Sequence, residues 1–123
     1  MVGYVTIGTN DLKRAAAFYD ALLDPLGGKR AMEMERFILW AAGTGGNGMF
    51  AVALPFDEKA ATVGNGVMVA LAAGSNEMVD KLYAKAIELG GTDEGAPGAR
   101  GGGFYAGYFR DLDGNKLNAY HLG

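Results

Sequence analysis

The sequence predicts an α+β fold made of two related modules, and two observations carry that expectation. The first is an internal repeat: displaced by 64 positions, YVTIGTNDLKRAAAFYDALLDPLGG from Tyr4 lies against MVALAAGSNEMVDKLYAKAIELGG from Met68, with a one-residue slip before the closing glycine pair. Strand falls on strand, helix on helix, and Tyr19 on Tyr83. The second is that both copies change period at the same place, from the alternation of a strand to the three-and-four spacing of a helix, and short strand-like runs follow each. Each half therefore reads strand, helix, then two or three strands.

In the first strand Tyr4 and Thr6 alternate with Val5 and Ile7, so the branched pair is expected on a helix and the mixed pair on the concave side. The helix that follows carries Leu12, Ala15, Ala16, Tyr19, Leu22, Leu23 and Leu26 as one apolar stripe. Asn10 is the expected N-cap, and Gly27 and Gly28 the stop. The runs GKRAMEME, RFILWAAG and GMFAVALP come next as strands, separated by Gly, Asn and charged residues. Arg36, Ile38 and Trp40 share one parity there, and that class is expected to face inward. Glu33 and Glu35 alternate with Met32 and Met34 and read as a solvated strand face.

In the second half Met68 and Ala70 oppose Val67, Val69 and Leu71, which should pack on the helix. That helix carries Met78, Val79, Leu82, Ala86 and Leu89 behind the candidate cap Ser75 and closes at Gly90 and Gly91. EGAPGARGGG, residues 94 to 103, reads as a connector, the alternative being a lid from which Arg100 reaches an anion. FYAGYFR and KLNAYHL then form a hairpin about the turn Asp111 to Asn115, whose Asp-Gly supplies a left-handed residue. A three-residue loop, Leu112 to Gly114, pairs Tyr108 with Asn118 and Arg110 with Lys116.

Composition narrows the function. At 123 residues the chain has one substantial interior to bury; half of its residues are hydrophobic and 20% are charged, which is a globular balance. A net charge of −3 with scattered Lys and Arg provides no basic stripe for nucleic acid. There are no cysteines, hence no disulfide, thiolate zinc site or cysteine nucleophile. MVGYVTIGTND lacks a basic start followed by an apolar run, and no segment approaches the roughly 18 apolar residues that span a bilayer. The expectation is a cytoplasmic protein without a membrane partner.

The opening YVTIGTNDLKRAAAFYDALLDPLGG, the stretch GNGVMVALAA from Gly64 and above all the closing FYAGYFRDLDGNKLNAY resemble the vicinal oxygen chelate superfamily, which includes glyoxalase I, extradiol dioxygenases, and fosfomycin and bleomycin resistance proteins. The resemblance implies a glyoxalase-like fold: two βαβββ modules, about residues 1–62 and 63–123 of a single domain, forming a concave mixed sheet with a helix packed outside each module. It also implies a homodimer, since short βαβββ units expose sheet edges that need covering.

The same resemblance implies a divalent metal, held by His and Glu side chains that polarise two neighbouring substrate oxygens. Carried across by position, the ligands fall on Tyr4, Met68 and Asn118. A tyrosine ligates well only after losing its proton, a thioether prefers soft ions, and an amide oxygen is neutral. The lone histidine, His121, has the opposite parity to Asn118. The expectation is therefore a small apolar or aromatic ligand bound in the cleft with no cofactor, as in bleomycin resistance proteins. The alternative is a metal-dependent lyase or dioxygenase with a substituted metal site. The expected ligand-binding set is Tyr4, Thr6, Arg36, Trp40, Met68, Tyr108, Arg110, Lys116, Asn118 and Tyr120, with Arg110 and Lys116 as cations at the rim.

Overall fold

The structure is a computed structural model that describes residues 1–42 and 48–123. Gly43, the end of the run RFILWAAG, lies outside the described residues. The chain divides into two compact units, Met1–Val63 and Gly64–Gly123.

The first unit runs β1 (Tyr4–Gly8), α1 (Leu12–Leu23), β2 (Gly28–Glu33), β3 (Phe37–Ala42) and β4 (Met49–Ala53). Its sheet has the order β1-β4-β3-β2, with β1 parallel to β4 and the other pairs antiparallel. The cap of α1 is Asp11, whose carboxylate accepts from the Arg14 N–H, and not Asn10. Asn10 instead clamps a later segment: its Oδ1 accepts from the Ala61 N–H at 2.7 Å and its Nδ2 donates to the Ala61 carbonyl at 3.3 Å. The helix also stops earlier than its glycines. Pro25 opens a 3-10 turn over Asp24–Leu26, so Leu26 leaves the helical stripe, and Gly27 follows with φ of 77°.

Tyr19, Trp40 and Phe50 form the ring cluster of this core, with Tyr19 4.6 Å from Phe50 and 6.0 Å from Trp40. Phe50 pairs with Val5 and Trp40, and Val52 with Ile7 and Ile38. These residues therefore share the α1 side of the sheet. The inward assignment of Arg36, Ile38 and Trp40 is thereby reversed. Trp40 is 1% exposed and its indole N–H donates to Asp20 of α1 at 2.9 Å. A ring of that area gains most under the helix, and its single N–H finds a carboxylate at the helix edge. Phe37 and Leu39, opposite Ala53 and Ala51, take the open face instead.

The second unit repeats the order: β5 (Val69–Ala72), α2 (Asn76–Glu88), β6 (Thr92–Ala99), β7 (Phe104–Arg110) and β8 (Lys116–Leu122), in a sheet of order β5-β8-β7-β6. Each unit is thus a βαβββ module with one helix on a four-stranded mixed sheet. Ser75 caps α2 as expected, accepting from the Met78 N–H at 3.1 Å. Val79, Leu82 and Ala86 are buried on α2, as are Phe109, Leu117 and Ala119 on β7 and β8. Two phenols tie the helix side together, Tyr83 donating to Asp93 and Tyr105 to Asp80. Val67 precedes β5 and is exposed, so it adds nothing to this core.

The stretch read as a connector or lid is mostly strand. Residues 94 to 99 belong to β6, which pairs with β7 through two register shifts, between Asp93 and Gly95 and between Gly95 and Gly98. β6 is an edge strand, where a proline costs no ladder bond on its free side and bulges absorb glycines. Only residues 100 to 103 turn.

The hairpin register is the one expected, with Tyr108 opposite Asn118 and Arg110 opposite Lys116. One carboxylate holds its turn: Asp111 Oδ1 accepts the N–H groups of Asp113 and Asn115, both at 2.9 Å, while Gly114 takes φ of 89°.

Asp20 of α1 carries the clearest electrostatic tie in the first unit. Arg30 of β2 donates to it through Nε and Nη2 at 2.9 and 2.6 Å. That hydrogen bond, aided by Trp40 and opposed by burial, holds its carboxyl below the usual range. In the unfolded chain this group takes up a proton near its ordinary value of about 4. Folded, it keeps its charge to lower pH, so its stabilising contribution is complete above that value and is lost as pH falls through the folded pKa. We expect the urea midpoint to fall on acidification below about pH 4, and Asp20→Asn to flatten that dependence; equilibrium unfolding monitored by circular dichroism across that range checks it.

Candidate functional site

In the second unit α2 covers the face bearing Phe109, Leu117 and Ala119, which leaves the opposite face of the sheet to β5, β7 and β8 side chains of the other parity. Phe104, Ala106, Tyr108 and Arg110 stand there on β7, Lys116, Asn118 and Tyr120 on β8, and Ala70 and Ala72 on β5. Met68, immediately before β5, shares the parity of Ala70 and is 42% exposed. Five of the expected site residues after Met68 are therefore on one surface: Tyr108, Arg110, Lys116, Asn118 and Tyr120.

Their surroundings differ. Tyr120 stacks on Phe104, a ring the sequence reading missed, at 5.6 Å and 18° between planes. Tyr108 has the Lys116 ammonium 5.6 Å and the Arg100 guanidinium 5.5 Å from its ring centre. Arg110 is not a free rim cation: Glu94 pairs with it at 2.8 Å, and its Nη1 donates to the Gly114 carbonyl. Asn118 is 1% exposed, and its Oδ1 is sealed from solvent without a hydrogen-bond donor. An unmade bond of this kind costs about 1–3 kcal/mol, and such groups in folded proteins call for a partner. His121 lies on the other face, where a ring nitrogen meets Asn76 Oδ1 at 3.0 Å.

The first unit places its expected residues less coherently. Tyr4 and Thr6 are on the open face of their sheet, with Tyr4 55% exposed and edge-on to Phe37 at 6.3 Å. Trp40 is in the core on the other side. Arg36 lies between β2 and β3, donates to the Pro55 carbonyl at 2.8 Å, and lines two hollows of about 220 and 440 Å³ beside Leu54 and Glu58. None of the other expected residues lines them. Glu33 is engaged by Arg30 at 2.8 Å, while Glu35 falls beyond the end of β2.

The sequence profile described as Glyoxalase/Bleomycin resistance protein/Dioxygenase superfamily matches residues 1–119. The chain belongs to this superfamily. Among solved structures it is similar to a glyoxalase/bleomycin resistance protein from Albidiferax ferrireducens T118, at 37% identity with a TM-score of 0.91, over 100% of this chain and 99% of that one. A hypothetical protein from S. aureus shares 27% identity with a TM-score of 0.75, covering 98% and 92% of the two chains. A lactoylglutathione lyase from Agrobacterium tumefaciens, at 20% identity and a TM-score of 0.73 over 98% and 92%, shares the fold. None of the curated proteins compared matches the chain.

The glyoxalase fold implies a divalent metal, and the residues that the sequence resemblance assigns to it do not fit one. Tyr4 offers an exposed phenol, Met68 a thioether, and Asn118 one neutral carbonyl oxygen. Hard and borderline divalent ions are held by imidazoles and carboxylates in sets of three or more. Among the described residues no three His, Cys, Asp or Glu side chains gather to form such a set.

If the open face is a ligand surface, trimming it should leave folding intact. We expect Met68→Ala to change stability by no more than about 0.5 kcal/mol, against about 2–5 kcal/mol for Leu71→Ala on the helix side of β5. Urea denaturation of the two variants checks this, and the reverse order would exchange the two faces.

Proposed function

We propose that the chain binds a small apolar or aromatic molecule on the open face of the β5-β8-β7-β6 sheet, without a metal. The observation that carries this reading is the chemistry of that face: three aromatic rings and an unpartnered buried amide, with no carboxylate or imidazole contributed by β5, β7 or β8. Rings give a ligand large contact area at low conformational cost, and one placed polar group orients it. A glyoxalase-type lyase or dioxygenase would need charged donors to bind and polarise substrate oxygens through a metal. A cytoplasmic setting is our further reading from the cysteine-free composition; among the described residues no helix is long and apolar enough to cross a membrane.

Protein purified without added metal is expected to contain far less than one equivalent of Zn, Ni, Mn or Fe. Elemental analysis finding one tightly held ion per chain would overturn the metal-free reading and favour the enzyme.

We also propose a homodimer, because among the described residues each sheet ends in strands with one unpaired edge, β1 and β2 in the first unit and β5 and β6 in the second. Light scattering at micromolar concentration should return twice the 12.8 kDa chain mass; a monomer there counts against it.

A further inference from the structure

The larger hollow of the first unit, of about 440 Å³, is lined by Arg36, Phe37, Leu54, Phe56 and Glu58. Its size falls in the range of small-molecule sites. Hydrogen bonds fix its walls. The Arg36 carbonyl accepts the Leu54 N–H at 2.9 Å, and the Pro55 carbonyl accepts both the Glu58 N–H at 3.0 Å and Arg36 Nη2 at 2.8 Å. One carbonyl thus anchors the Arg36 guanidinium and the Glu58 backbone together, and Asn10 holds the segment again at Ala61. Glu58 stands there at φ of 63°, the one non-glycine residue with positive φ among the described residues. A left-handed backbone is unfavourable for a residue with a Cβ, and such strain gathers at ligand sites.

The charges at this hollow are opposite and unpaired. Among the described residues neither Arg36 nor Glu58 makes an ion pair, with the other or with any third group. Beside them the Phe56 ring is fully exposed, and Phe37 stands edge-on to Tyr4. We infer that the hollow binds an α-amino acid with an apolar side chain, its carboxylate on Arg36, its ammonium on Glu58 and its side chain against Phe37, Leu54 and Phe56. An α-amino acid carries both charges on one carbon, so one small molecule satisfies two groups that do not reach each other. Arg36 uses Nη2 on Pro55 and keeps the rest of its fork for a carboxylate. Glu58 offers an ammonium a charge-assisted hydrogen bond, and covering Phe56 removes an exposed ring from water.

The test is NMR titration of the isotopically labelled full chain with L-phenylalanine, phenylalaninamide, N-acetylphenylalanine and glycine. Phenylalanine should shift the amide signals of Phe37, Leu54 and residues 56 to 60, and should bind about five-fold or more tightly than each of the other three. Glu58→Gln should remove the preference for the free amine over the N-acetyl compound, and Arg36→Gln the preference for acid over amide. Phe56→Ala should weaken phenylalanine binding with an unchanged melting temperature. Should Arg36→Gln fail to fold, Glu58→Gln and Phe56→Ala, both at exposed positions, still decide the question. Equal binding of all four compounds, charge variants without effect, or no shifts at the hollow overturn the assignment. Shifts confined to β7 and β8 overturn it too, while supporting the aromatic-binding reading of the second unit.

Discussion

In each unit a single amphipathic helix covers one face of a four-stranded sheet, and because strand side chains alternate, that burial decides where every other strand residue points. Tyr19, Trp40 and Phe50 meet under α1, while Phe109, Leu117 and Ala119 meet under α2. The residues left over, Tyr4, Thr6 and Phe37 in one sheet and Tyr108, Asn118 and Tyr120 in the other, face away from the helix because their neighbours in sequence face it. A one-residue slip would exchange the two sets. The hairpin turn held by Asp111 fixes that register at the end of the chain, where the candidate site is densest.

Polar groups on the helix sides are matched individually. Asp20 gathers Arg30 and the Trp40 indole, Asp93 takes the Tyr83 phenol, Asp80 the Tyr105 phenol, and Asn76 meets His121. Against that background the open face of the second sheet is different in kind. It holds a carbonyl with no donor and two cations with no carboxylate, beside rings stacked on one another. Folded proteins satisfy buried polar atoms as a rule, and exceptions gather where a ligand completes them.

The glycine content of β6 belongs to the same arrangement. Glycine weakens a strand by removing packing and adding unfolded-state freedom. At the edge of this sheet it also creates a bare track on which an arginine lies flat. The register shifts that the glycines allow place Gly95 opposite Tyr108 and Gly98 opposite Ala106, which is what brings the Arg100 guanidinium to the ring.

The sequence by itself determined the duplicated strand-helix-strand order, the apolar stripes of both helices, the closing hairpin with its register, and the opposed faces of Asn118 and His121. All of these rest on local periodicity and turn chemistry, which a chain carries wherever it folds. Tertiary structure decided the rest. Which parity of β3 met the helix depended on Trp40 finding Asp20, a contact between residues 20 apart. Asn10 could cap α1 or clamp Ala61, and the pull of a segment 51 residues away left the cap to Asp11. Glycine and proline argued for a loop at residues 94 to 99, and pairing with β7 made it a strand. Arg110 read as a free cation until the fold placed Glu94 beside it, and Arg100, in the turn after β6, meets Tyr108 only because β6 pairs with β7. In each case the deciding energy came from a partner distant in sequence or from a bulged register, and neither leaves a mark in local pattern.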